Sequence, residues 1–63
     1  MSFAENIKSI RLSSGMTQQT LAEKLNLDRS AIAHYENGDS TPTVKTLCKI
    51  SELFEISIEN LLK

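Results

Sequence analysis

The stretch that most constrains how this chain can fold is the three-residue corner Asn26-Leu27-Asp28. On its N-terminal side Thr17 is a good N-cap for a helix over Gln18 to Leu25, with Leu21, Ala22 and Leu25 sharing one face. On its C-terminal side Asp28 is placed to cap a helix from Arg29 to about Asn37, with Ile32 and Tyr35 turned inward and Gly38 at the usual C-terminal glycine position. Asparagine, after glycine, best tolerates the left-handed backbone that stops a helix abruptly, so Asn26 predicts two helices meeting at a sharp angle. Ala22 falls where crossing helices come closest and a large side chain would push them apart. Leu27 and Ile32 are positioned to plug the corner. A tight corner of this kind leaves one of the two helices projecting, the helix-turn-helix arrangement.

Three more helices follow from the same signals. Ser2 and Glu5 have the capping-box spacing, and Phe3, Ile7 and Ile10 then recur along one face until Ser13-Ser14-Gly15, which predicts a first helix over residues 3–14. Beyond the Asp39-Ser-Thr-Pro42 loop, Thr43 caps a fourth helix whose inner side is expected to carry Val44, Leu47, Cys48, Ser51 and Phe54, widened by Ile50 and Leu53. Ser57 opens a short fifth helix with Ile58, Leu61 and Leu62. No segment alternates as a half-buried strand does. The expectation is an all-α fold: one five-helix domain over residues 1–63, since 63 residues are too few for two hydrophobic cores.

Composition narrows the function. A single cysteine cannot close an intramolecular disulfide, and nothing at the N-terminus resembles a signal peptide, so a reducing, cytoplasmic setting is expected. No stretch approaches the roughly 20 apolar residues of a membrane span. One histidine and one cysteine without partners at ligand spacing imply no metal site, and no cofactor or small-molecule ligand is implied. The net charge of −1 weighs against a nucleic-acid binder, because phosphate neutralisation supplies much of such binding. Yet Glu52, Glu55 and Glu59 lie in the last two helices, and the distribution of charge matters more than its sum.

Taken together, Ile10-Arg11, the run Gly15-Met-Thr-Gln-Gln-Thr-Leu-Ala-Glu-Lys-Leu25, Ile32, Tyr35-Glu-Asn-Gly38, Pro42 and the segment Leu47 to Leu62 resemble the Xre/Cro-like family, which includes the DNA-binding domains of lambdoid phage repressors. The resemblance covers nearly the whole chain. It implies that Thr17 and Gln18, at the amino end of the second helix, grip a phosphate of double-stranded DNA, as do Asn37, Thr43 and Lys45 around the loop after the third helix. It implies base contacts from Arg29, Ser30, Ala33 and His34. Arg29 suits guanine, to which a guanidinium donates two parallel hydrogen bonds; otherwise it is a surface arginine paired with Asp28 or solvated. His34 would donate to a guanine or a phosphate more strongly at lower pH. Arg11 and Glu36 match a structural ion pair of the family. Asp39-Ser-Thr41 departs from it, standing where basic residues are frequent.

One recognition helix touches few base pairs, so a symmetric homodimer on a palindromic operator is expected, with Ile56, Ile58, Leu61 and Leu62 supplying its apolar contact unless all four complete the core. The function expected is transcriptional control, most simply repression; a phage switch, restriction-modification controller, plasmid regulator and antitoxin would look alike. A protein-interaction module that has lost DNA binding is a different reading, favoured by the acidic loop. An enzyme would have only Cys48 and His34 to work with, and Cys48 reads more simply as a small buried hydrophobe.

Overall fold

The computed structural model describes residues 2–63 and contains five helices: α1 (Phe3–Ser13), α2 (Gln18–Leu25), α3 (Arg29–Asn37), α4 (Val44–Phe54) and α5 (Ile58–Leu61). Their starts are set by side chains. Ser2 and Glu5 form the reciprocal capping box at α1, and the hydroxyls of Thr17, Thr43 and Ser57 accept from the N–H groups of Thr20, Thr46 and Asn60. Asp28 is the exception. It occupies the N-cap position of α3 with extended backbone, but its carboxylate makes no capping bond.

The helix ends share one device. At α1, α2, α3 and α4 the chain turns through a left-handed residue, respectively Gly15 (φ 71°), Asn26 (φ 58°), Gly38 (φ 80°) and Glu55 (φ 54°). In each case the next N–H reaches back five residues: Met16 to Arg11, Leu27 to Ala22, Asp39 to His34 and Ile56 to Ser51, at 3.1, 2.8, 2.9 and 3.1 Å. This is the longer bond of a Schellman turn, and it satisfies a carbonyl that the helix itself leaves open. Glu55 adopts at a cost what glycine adopts freely, and the Ser51 hydroxyl fixes the turn further by donating to the Ile56 carbonyl at 2.6 Å.

The core draws on every helix. Ile7, Leu21, Ile32, Ile50 and Leu61, one from each, are fully buried. Phe3, Ala22, Leu25 and Tyr35 complete the buried cluster, Leu27 packs against it from the corner, and Phe3 meets Tyr35 edge to face at 6.1 Å between ring centroids. The fifth helix is tied down from outside: Asn6 Nδ2 donates to the Leu61 carbonyl at 2.8 Å.

Three expectations change here. The inner face of α4 is centred on Ile50, flanked by the half-buried Leu47 and Phe54, so Val44 (73% exposed) and Cys48 lie outside. The apolar residues of α4 cover an arc wider than the core can receive, and packing selects its middle. Cys48 is therefore a surface thiol, not a buried hydrophobe. Leu61 is the third: at 0% exposure it belongs to the core and has no surface to offer a partner.

Candidate nucleic-acid interface

Helix α3 is held by its inner face and free on its outer one. Ile32 and Tyr35 anchor it, Ala22 at 0% exposure lets α2 cross it closely, and Arg29, Ser30 and His34 are exposed, with Ala33 half-buried among them. Three of the four residues expected to meet bases thus face solvent, and the small fourth leaves the surface flat enough for a groove edge to approach.

The structure brings Gln18 to this helix. Arg29 Nη1 donates to Gln18 Oε1 at 3.3 Å, and Gln18 Nε2 donates to Glu36 Oε1 at 3.2 Å. The N-terminal turns of α2 and α3 are thereby joined into one surface. Thr17 caps α2 through Thr20, which leaves the first-turn N–H groups of Gln18 and Gln19 as the open donors that suit an anion. Thr43 caps α4 and Lys45 is exposed beside it, while Asn37 is exposed at the end of α3. Among the described residues no side-chain hydrogen bond or ion pair links Asn37, Thr43 or Lys45 to the Gln18–Arg29 pair.

Beneath the surface lies the ion pair of Arg11 and Glu36. Arg11 donates from Nε to Glu36 Oε2 at 2.6 Å and from Nη2 to Oε1 at 3.0 Å, and its Nη1 reaches the Met16 carbonyl at 2.8 Å. Both side chains are almost wholly covered, 9% and 3% exposed. Burial pushes the Glu36 carboxyl up, but the hydrogen bonds from Arg11 and Gln18 and the positive charges of Arg11 and Lys8 outweigh it and hold the group below the usual glutamate range. The bond to Glu36 raises the Arg11 guanidinium above its ordinary value against its own burial. Both groups are therefore charged at neutral pH, and the pair clamps α1 to the end of α3.

Acidic groups border the same surface. Asp28 precedes the first turn of α3, and Asp39 follows its last, 3.5 Å from His34 Nδ1 through Oδ2. Sequence reasoning anticipated an Arg29–Asp28 pair as the alternative to base contact; the guanidinium instead turns to Gln18. The signal for that contact is spatial, because Gln18 and Arg29 stand 11 residues apart on different helices.

A helix-turn-helix family model matches residues 7–61, almost the full span of the five helices. The chain belongs to the helix-turn-helix family. It is 43% identical over 61 residues to the HTH-type transcriptional regulator YqaE of Bacillus subtilis, covering 97% of this chain and 53% of that protein. A variant of the restriction-modification controller protein C.Esp1396I is 42% identical with a TM-score of 0.78, covering 94% of this chain and 77% of that one. The P22 c2 repressor, solved with a synthetic operator, superposes with a TM-score of 0.93 over 100% of this chain and 96% of its own; at 24% identity this likeness speaks for the fold. The family member described here spans about half the length of YqaE.

Proposed function

We propose that this family member is a sequence-specific DNA-binding transcriptional regulator, most simply a repressor, that sets α3 into the major groove of a palindromic operator as a symmetric homodimer. The observation that carries the reading is the exposed first turn of α3, where Arg29 stands free on its outer side and is held from behind by Gln18. In this reading Arg29 reads guanine, Ser30, Ala33 and His34 contact neighbouring base edges, and Thr17, Gln18, Asn37, Thr43 and Lys45 contact phosphates. Two copies would address half-sites about 34–36 Å apart. The names of the relatives, a transcriptional regulator and a restriction-modification controller, support this assignment.

The contact between copies draws on Leu62, 53% exposed, with the half-buried Ile56 and Ile58 beside it. The carboxylates of Asp28 and Asp39 at either end of α3 favour the second reading, a protein-interaction module, because each repels a phosphate that comes near it.

Binding of the purified protein to duplex fragments across about 50–200 mM salt separates the two. A DNA reader shifts specific fragments, loses affinity steeply with salt, and loses its specificity in Arg29→Ala. Absence of duplex binding throughout that range refutes the DNA reading.

A further inference from the structure

In the DNA reading Asp39 has no use of its own: it stands in the loop after α3, where a carboxylate repels the phosphates that its neighbours grip. The structure nonetheless ties it twice to a residue of the reading face. Its N–H donates to the His34 carbonyl at 2.9 Å across the left-handed turn at Gly38, and its Oδ2 lies 3.5 Å from His34 Nδ1. The main-chain bond fixes where residue 39 begins, so the side-chain contact closes a ring on an anchored backbone. Other charges are engaged elsewhere. Of the helices packed on α3, α1 turns Arg11 and Lys8 toward Glu36, while on α2 Glu23 accepts from Gln19 and Lys24 lines a groove facing α4. Arg29, on α3 itself, turns to Gln18. Among the described residues Asp39 is the one charged partner within ion-pair distance of His34, and His34 Nε2 makes no hydrogen bond.

A neutral imidazole donates at one nitrogen and accepts at the other, and the neighbour of the ring decides which is which. A carboxylate only accepts, so Asp39 draws the proton to Nδ1 and leaves Nε2 with its lone pair. We propose that Asp39 is a specificity-positioning residue: by setting the tautomer of His34 it makes the neutral ring present an acceptor to the major groove. The inference rests on the assignment of α3 as the DNA-reading helix. An acceptor there matches the N4 amine of cytosine or the N6 amine of adenine, and meets guanine O6 and N7 acceptor against acceptor. A second proton goes to Nε2, turns that acceptor into a donor and reverses the match toward guanine. Donation to guanine is then a property of the protonated ring alone. The recognition helix thereby carries one position whose base preference follows pH across the range where an imidazole titrates.

The tautomer is read directly from imidazole 15N spectra of the free protein at about pH 8. Nδ1 is expected to carry the proton in the wild type, with the proton redistributing toward Nε2 in Asp39→Ala. Readout of DNA is tested by selecting a randomised duplex library at about pH 8 and about pH 5.5 with the wild type, His34→Ala and Asp39→Ala, each checked for helical content. At the higher pH the wild type is expected to favour cytosine or adenine over guanine by about 2- to 12-fold at one position, the scale of one hydrogen bond. At the lower pH that order levels or reverses, and His34→Ala is indifferent there throughout. Asp39→Ala loses about 1.5- to 5-fold of the preference at the higher pH, the scale of one exposed charged contact. It also binds every sequence more tightly, because the repulsion between Asp39 and phosphate is the same whatever the bases.

A bare Nδ1 in the free wild-type protein, or the same tautomer in Asp39→Ala, overturns the proposal whatever the protein binds. Guanine favoured at the higher pH, an order identical at both pH values, or one untouched in Asp39→Ala overturns it and leaves the DNA reading standing. So does a selection in which His34→Ala changes no preference, since His34 then reads no base. If no duplex is selected at all, the DNA reading fails and the specificity role of Asp39 with it.

Discussion

Replacing Arg11 by methionine tests how much the chain depends on one covered charge pair. The guanidinium makes three hydrogen bonds, two to Glu36 and one to the Met16 carbonyl, and with it gone Glu36, at 3% side-chain exposure, keeps only Gln18 as a partner. Stranding one member of such a pair costs about 3–5 kcal/mol. Stability of roughly 0.05–0.15 kcal/mol per residue gives a chain of 63 residues about 3–9 kcal/mol in total. Arg11→Met is thus expected to remove between a third and all of it, lowering the melting temperature by at least about 12 °C at about 4–8 °C per kcal/mol. The double variant Arg11→Met/Glu36→Leu has no uncompensated charge and is expected to recover most of the loss, since an apolar pair often substitutes for a buried ionic one. Urea denaturation followed by circular dichroism at pH 7 measures all three proteins. A single variant within 1 kcal/mol of the wild type, or a double variant no more stable than the single one, would refute the reasoning.

Acid should act through the same pair: because Glu36 is held below the usual glutamate range, its contribution is complete above that range and is lost as pH falls through the lower folded value. The urea midpoint is expected to stay level between about pH 7 and 5 and to drop below about pH 4, with a shallower drop in Glu36→Gln. Glu55→Gly relieves a left-handed residue that is neither glycine nor asparagine; the strain of about 1–2 kcal/mol, offset by glycine's greater freedom when unfolded, leaves a gain of roughly 0.5–1 kcal/mol, visible in thermal melts and absent if the turn is unstrained. Leu62→Lys is expected to weaken self-association in sedimentation while the monomer stays folded, whereas Leu61→Ala should cost about 2–5 kcal/mol in the same denaturation assay. An unchanged dimer in Leu62→Lys would remove this end of the molecule from the interface.

The helices were legible because their boundaries are local. Ser2, Thr17, Thr43 and Ser57 cap through the N–H group three residues on, and Asn26 and Gly38 carry the left-handed turns their residue types favour. Glu55 does the same work with no such signature, because its conformation is imposed by the helices on either side and by Ser51. Facing was harder. Whether Cys48 or Ile50 points inward depends on how α4 rolls against the other helices, which an apolar arc of that width leaves open. The bonds of Gln18 were hidden for a related reason: they exist only once the corner at Asn26 has swung α3 beside α2.

The contribution of one fully buried side chain from each helix bears on how the molecule comes apart. No helix can detach without uncovering a fully buried side chain, so opening any one of them exposes apolar surface of the shared core. Interior amide protons from the longer helices should consequently exchange with solvent largely through one cooperative event, and a domain built this way is either wholly folded or not assembled at all.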